Sequence, residues 1–395
     1  MSFIPETELT SRVVRLQKGL GAQALDGAFI FDKISLLYFT GTMANGAFFV
    51  PATGEPVYFV RRNPERALLE SSHNRIIPYK NFKDISAYLA KVGHLVANIG
   101  INEGAVTVSF YKMLQKNVPQ SVFSDIGQLC ARLRAVKSEY ELNKMKKAGE
   151  LSREIYALIP GLIKLGMSEW ELGLLLFQES AKRGLNCMSR VAGGNEFFFG
   201  NISFGENSLY PSAFDGPGGI RGRSPACPFL GSDRTLKAGD LIYIDMVTPC
   251  DEYYIDKTRV YSAGKPSQKA IDSFQKCCAI QDVVRDMLKP NVTPSYIYNK
   301  IYKEYIESDP EFAEHFMGYR QNQVKFLGHG IGIVLDEYPV IADKFNLPLE
   351  ASMTIAVEPK KGIEGIGMVG IEDTFIVSPN GGINITEDFR EIIVL

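Results

Sequence analysis

A chain of 395 residues that is 45% hydrophobic and 22% charged is ordinary globular material, longer than one hydrophobic core usually supports, so two domains are expected. Its net charge of -2 leaves no electrostatic footprint for nucleic acid or an anionic membrane, and no apolar run approaches the ~20 residues that span a bilayer. The N-terminal MSFIPETELTSR has no basic-then-apolar signal pattern, which makes a cytoplasmic location the expectation. Consistent with that compartment, Cys130, Cys187, Cys227, Cys250, Cys277 and Cys278 are scattered without CxxC spacing and read as reduced, mostly buried thiols.

In chain order, the first element is a helix over Glu6 to Gly19, with Leu9, Val13, Leu16 and Leu20 at helical spacing. Strands are expected over Gly27 to Phe31, Gly46 to Pro51 and Pro56 to Arg61, then helices over Pro64 to Glu70 and Phe82 to Lys91. These compose a small α/β domain, residues 1–133. A long amphipathic helix from about Lys137 to Leu158 opens the second domain, 134–395. Further helices near Ser168 to Arg183, Ser267 to Leu288 and Pro294 to Ile306 are expected outside a sheet. The Gly- and Pro-rich stretch 216–232 is longer than most connections. It reads equally well as an active-site lid, in which Arg221 and Arg223 would matter, or as a surface excursion; the longer loop 190–230 is expected to control access.

The stretch LIYIDMVTPCDEYYIDKTRV, 241–260, organises the chain. Leu241, Tyr243, Asp245 and Val247 share one face of a strand, and Tyr254, Asp256, Thr258 and Val260 share one face of a second. A hairpin centred between Cys250 and Asp251 sets Asp245 directly opposite Asp256, their Cβ atoms roughly 4.5–5.5 Å apart. Like charges so placed call for a cation between them. Downstream, MTIAVEPKKGIEGIGMVGIEDTFIV reads as another strand pair, with Glu358 ending its first apolar run and Glu372 inside its second. Between the hairpins, His329 is flanked by Gly328, Gly330 and Gly332, which would let backbone approach a bound group. Two Asp, one His and two Glu form a hard, mostly oxygen ligand set, suited to Mn, Co, Fe or Zn rather than to a structural thiolate zinc site.

The set resembles the pita-bread metallopeptidases, among them Xaa-Pro aminopeptidase, prolidase and the non-peptidase creatinase. The matching residues are Asp245, Asp256 with Thr258 and Arg259, Gly328-His329-Gly330-Ile331-Gly332, Glu358-Pro359 and Glu372-Asp373. The run from ELTSRVVRLQKGLGAQALDGAFIF through ISLLYFTG resembles the creatinase-type N-terminal domain of the Xaa-Pro branch, which methionine aminopeptidases generally lack. The resemblance implies an α/β (α+β) chain: a small creatinase-type N-terminal α/β domain, then a pita-bread domain with a curved antiparallel sheet flanked by helices. It also implies two divalent metal ions, with manganese among the candidates, and a metal-bridging hydroxide. Asp256 and Glu372 would bridge the ions, Asp245 chelate one, and His329 and Glu358 hold the other. Glu358 would shuttle the proton, and Thr258 would orient Asp256. A homodimer acting on small peptides or small molecules is expected on the same ground.

The substrate side departs from the peptidase pattern. Ser212 stands where a His is usual, Asp336-Glu337-Tyr338-Pro339 replaces His-Glu-x-Pro, and Gly370 replaces an Arg. Ser212, Glu337 and Gly370 are therefore the candidate substrate positions. The exchange makes the pocket more negative and disfavours a peptide carboxylate. It leaves an alternative to the Xaa-Pro peptidase: a metal-dependent lyase resembling the dimethylsulfoniopropionate lyases, with Asp336 as base toward a cationic substrate.

Overall fold

The computed structural model describes residues 3–94, 97–186, 189–191 and 199–395 and the backbone of 196–197. Cys187 and part of the loop 190–230 lie outside these. The chain divides into two compact units, Met1–Arg134 and Ala135–Leu395.

The first unit holds α1 (Glu6–Ala22), β1 (Gly27–Ile30), α2 (Lys33–Thr40), β2 (Gly46–Pro51), β3 (Val57–Val60), α3 (Pro64–Glu70), β4 (Ile76–Pro78), α4 (Phe82–Lys91), β5 (Asn98–Ile101), α5 (Val108–Asn117), β6 (Val122–Asp125) and α6 (Gly127–Ala135). Its six strands form one mixed sheet in the order β4-β3-β2-β1-β5-β6. Phe29, Phe49, Phe59, Ile85 and Leu89 pack into its core. Leu9, Leu16 and Leu20 are buried along one stripe of α1, as their spacing requires.

The second unit begins with α7 (Glu139–Leu162) and α8 (Glu169–Lys182). Both starts are written in the sequence: Ser138 with Glu141, and Ser168 with Glu171, form capping boxes that satisfy the first free amides. A short pair β7 (Ser189–Arg190) and β8 (Glu196–Phe197) precedes β9 (Gly200–Phe204), β10 (Leu241–Cys250) and β11 (Tyr253–Ser262). Then come α9 (Gln268–Met287) and α10 (Pro294–Ile301), the latter ending in a π-turn at Tyr302–Ile306 that the helical periodicity did not distinguish. The remaining strands are β12 (Phe326–Gly330), β13 (Glu337–Ala342), β14 (Thr354–Val357), β15 (Lys360–Ile363), β16 (Gly367–Gly370), β17 (Asp373–Ile376), β18 (Ile383–Asn384) and β19 (Ile393–Val394). One sheet runs β19-β11-β10-β9 and another β13-β12-β14-β17-β18, with β15-β16 as a separate ribbon. A single antiparallel bridge, Thr258 to Glu372, joins the first two sheets into one curved surface.

Alternation along β10 and β11 decides what each face does. Ile242, Ile244 and Met246 point into a core with Ile155, Tyr156, Leu172 and Leu176 of α7 and α8. Tyr243 and Asp245 point the other way, into the concave side. Among the described residues no helix is long and apolar enough to cross a membrane. Cys130 and Cys277 are buried free thiols, while Cys227, Cys250 and Cys278 are free and only half-buried, so burial is less general than expected.

Two expectations about strands are corrected. In the β10-β11 hairpin Asp245 pairs with Thr258 and Asp256 with Val247, so the acids are diagonal neighbours rather than opposite. The reason is the turn: only Asp251 and Glu252 make it, with Asp251 at φ 51°, which moves the centre one residue onward from the symmetric guess. Glu372 lies not inside a strand but between β16 and β17, where the chain crosses from the ribbon back to the sheet.

Candidate active site

Five acids and bases from separate elements converge on the concave side. Asp245 comes from β10, Asp256 from β11, His329 from β12, Glu358 from just past the end of β14, and Glu372 from the link between β16 and β17. One ligand atom each from Asp256, His329 and Glu372 lie within 4.8 Å of one another, and all three residues are buried. His329 Nε2 lies 3.7 Å from Glu358 Oε1 and 4.0 Å from Glu372 Oε1. These groups floor a cavity of about 390 Å³ whose walls include Asn201, Phe214, Asp215, Phe229, Phe326, Leu335 and Asp336.

The glycines around His329 serve packing rather than a bound group. A Cβ on Gly328 would stand 2.2 Å from the Ala356 carbonyl oxygen, and one on Gly330 would stand 2.4 Å from that of Tyr338. Without side chains, β12 fits between β13 and β14, and the imidazole is delivered to the cavity floor. Its Nδ1 faces the Gly330 carbonyl at 3.1 Å and Asp336 Oδ1 at 3.4 Å.

Electrostatics follow from crowding. Burial first, then repulsion from Glu372 and Asp245, holds the Asp256 carboxyl well above the usual carboxylate range. Burial likewise lifts Glu372 to about 8, against the pull of Lys360 and with Glu358 and Asp245 adding repulsion. Burial disfavours a charged His329, yet Asp336, Glu358 and Glu372 together outweigh it and raise the imidazole. For the two carboxyls burial leads and repulsion adds to it, and for His329 the surrounding carboxylates prevail, so a cation placed among these groups would relieve the repulsion.

Part of the positive charge comes from a residue the sequence reading passed over. Lys360 Nζ donates to Asp245 Oδ2 at 3.0 Å, Glu358 Oε2 at 2.7 Å and Glu372 Oε2 at 2.8 Å. Glu358 and Lys360 do not share a strand, since β14 ends at Val357 and β15 begins at Lys360, so side-chain alternation carried no signal for it. Two other missed groups are nonlocal. Asn201, paired with Asp245 from β9, presents a buried Oδ1 with no hydrogen-bond partner among the described residues. Asp215 reaches the cavity from a loop. A third, Tyr243, donates its hydroxyl to Asp245 Oδ2 at 3.0 Å.

The remaining predicted residues fall in several places. Thr258 donates to Glu372 Oε2 at 2.8 Å, not to Asp256, because the bridge between the two sheets sets the Glu372 backbone beside it. Asp336 lines the cavity and is 51% exposed. Glu337 is buried, accepts from the Val334 amide at 2.9 Å, and borders an adjoining apolar pocket shared with Phe326, Tyr338, Val340 and Phe345. Ser212 turns away from the cavity floor and caps its own loop, donating to the Phe214 carbonyl at 2.7 Å. Gly370 pairs with Lys360 across the β15-β16 ribbon. In the long loop, residues 213–218 and Phe229 touch the cavity. Arg223 instead lies over Trp170 and pairs with Asp233, and it and Arg221 border a different depression.

A fold of this shape with such a floor is that of a metallopeptidase. Residues 143–379 match Metallopeptidase family M24 and residues 12–136 match the Creatinase/Prolidase N-terminal domain. The chain belongs to metallopeptidase family M24, in the branch that carries the creatinase-type N-terminal domain. It is 25% identical to the Xaa-Pro dipeptidase of Pyrococcus furiosus over 98% of this chain and 100% of that one. It is also 25% identical to the Xaa-Pro dipeptidase of Lactobacillus delbrueckii subsp. lactis, over 96% and 98%. Among solved structures, the Xaa-Pro dipeptidase from Bacillus anthracis superposes with a TM-score of 0.81 at 22% identity, covering 98% of this chain and 100% of that one. The X-Pro aminopeptidase from Thermotoga maritima does so with a TM-score of 0.78 at 22% identity, over 97% and 99%.

Proposed function

We propose that this chain hydrolyses peptide bonds of the Xaa-Pro class with a divalent ion held by Asp256, His329 and Glu372, drawn from Mn, Co, Fe and Zn. The observation that carries the reading is the convergence of those three buried ligand atoms within 4.8 Å on the floor of the cavity. The Glu372 Oε1 atom is buried without a hydrogen-bond partner among the described residues, which fits an oxygen kept for a cation. The names of the relatives, matched along nearly the whole chain, supply the substrate class.

The bound ion supplies Lewis acidity and lowers the pKa of an adjacent water. The chain's own residues do the rest. Glu358, with Oε2 held by Lys360 and Oε1 facing the floor, takes up the proton of the attacking water and passes it to the leaving imino nitrogen. Asp215 and Asp336 put negative charge at the wall, where the substrate α-ammonium is attracted. Phe214, Phe229, Phe326 and Leu335 exclude water around the proline ring. No Lys or Arg occurs among the described residues that line the cavity. A dipeptide's carboxylate would therefore lie unpaired there, and Xaa-Pro tripeptides should be turned over faster than Xaa-Pro dipeptides.

The test is hydrolysis of Xaa-Pro dipeptides and tripeptides by purified protein stripped and reloaded with Mn, Co, Fe or Zn, with Glu372→Ala as control. Turnover that disappears in the variant supports the reading. Absence of turnover by metal-loaded protein would remove it and direct attention to the lyase alternative with Asp336 as base, which has no support among the relatives. A cytoplasmic homodimer belongs to the same reading; a monomer by light scattering would contradict its oligomeric part.

A further inference from the structure

The carboxylates around Lys360 are the ones that a second metal ion would need. An ammonium has three N–H donors, and Lys360 gives one each to Asp245, Glu358 and Glu372, at 3.0, 2.7 and 2.8 Å. Its side chain is 1% exposed, so water does not compete for them. Asp245 Oδ2 takes a second donor from Tyr243. An ammonium and a phenol thus share this one oxygen of Asp245.

This arrangement depends on Gly370. In the β15-β16 ribbon Lys360 and Gly370 are direct partners, and a Cβ at 370 would come within 2.7 Å of both Cα and Cγ of Lys360. Where the resemblance leads one to expect arginine, this chain has no side chain, and the lysine stem crosses the space.

The other half of the cluster is untouched by Lys360. Asp256, His329 and the unpartnered Glu372 Oε1 remain grouped, with Glu358 Oε1 beside them. One cation fits among those atoms. A second, at Asp245, would have to expel a lysine that is fully hydrogen-bonded.

We propose that the Lys360 ammonium is a built-in replacement for one of two metal ions, so that the chain takes a single divalent cation between Asp256, His329 and Glu372. The inference rests on reading this cluster as a metal site and deepens it by fixing the number of ions. Lys360 then acts as a positioning residue, holding Asp245, Glu358 and Glu372 in place.

The experiment is metal counting. Wild-type protein and Lys360→Gly, stripped and reloaded with excess Mn(II) and then desalted, are assayed by mass spectrometry for manganese per chain. The expected result is one equivalent in the wild type and two in Lys360→Gly. Electron paramagnetic resonance of the loaded wild type should show an isolated Mn(II) ion, not an exchange-coupled pair. That spectrum carries the test should the glycine variant fail to fold. Two equivalents and a coupled spectrum in the wild type would overturn the inference and leave the metallopeptidase reading standing. An unchanged single equivalent in a folded Lys360→Gly would overturn the inference alone. No manganese in the wild type would overturn both.

Discussion

Strand β11 carries a buried charge cluster on each face, and the two are built to different ends. On the convex side Lys257 and Arg259 meet Asp373 and Asp388: Arg259 bonds Asp373 at 2.7 Å and Asp388 at 2.6 Å, and Lys257 pairs with Asp388 and the Thr386 carbonyl. Two cations face two carboxylates. On the concave side Asp245, Glu358 and Glu372 share the ammonium of Lys360, with Asp256 grouped beside Glu372 and His329. The adjacent residues Glu372 and Asp373 are divided between the two, one to each face. The convex cluster sets cations against carboxylates one for one and ties β11 to β17 through Arg259, which also donates to the Thr258 and Glu372 carbonyls. The concave cluster leaves an excess of negative charge at a cavity, as a site for a cation requires. Charge balance, rather than burial, separates the structural cluster from the proposed cation site.

Breaking the convex cluster should give the largest loss of stability. Arg259→Ala removes the cation that Asp373 is paired with and leaves that carboxylate buried, and removing one partner of such a pair costs about 3–5 kcal/mol. Chemical denaturation should read a loss of that size. A loss below about 1 kcal/mol, the range of exposed ion pairs, would show that the cluster is not holding the sheet.

The concave cluster should answer in metal affinity before stability. Thr258→Val keeps the shape of the side chain and removes the hydrogen bond to Glu372 Oε2. Outer groups of this kind typically contribute ~10–100-fold to metal affinity or activity. Calorimetric titration with Mn(II) should show a weakening in that range, with the melting temperature of the metal-free protein little changed. Unchanged affinity would remove Thr258 from the site.

The smallest effect lies in the first unit and serves as the control for both clusters. Burial holds the His73 imidazole below its ordinary range, even though Nε2 lies 2.8 Å from the Phe39 carbonyl. With the folded value depressed, the unfolded chain takes up a proton first as pH falls. The stability tied to a neutral His73 is therefore present above about pH 6.5 and lost progressively below it. Urea midpoints measured between pH 7.5 and 5 should fall less steeply in His73→Gln than in the wild type. Equal slopes would mean that other groups dominate the acid limb.

What could be read from the sequence, and what could not, follows the range of the interactions. That Asp245, Asp256, His329, Glu358 and Glu372 meet at one cavity was legible because each sits in a short motif that carries its own local geometry. The helices of the second unit were legible from their caps: Ser168, Ser267 and Thr293 each accept an amide in the first turn. The hairpin register was missed because it turns on one residue, Asp251, adopting positive φ. The partner of Thr258 was missed because Glu372 comes from a distant stretch of chain, brought to β11 only by the bridge between the two sheets. Lys360 was missed for a different reason. A lysine beginning a strand ordinarily reads as a solvated face, and only its pairing with Gly370, ten residues away across a ribbon, opens its path inward. Asn201 and Asp215 depend on strand order and loop course, for which the chain holds no local signal.

The central claim is that the concave cluster is a cation site in which one position belongs to a divalent ion and the other to Lys360. The most direct measurement is an anomalous difference map from crystals of the wild-type protein grown with manganese, collected at the manganese edge. The account predicts one peak, bounded by Asp256, His329 and Glu372, with the Lys360 ammonium still between Asp245 and Glu358. Two peaks with Lys360 displaced, or a peak at Asp245 alone, would contradict it.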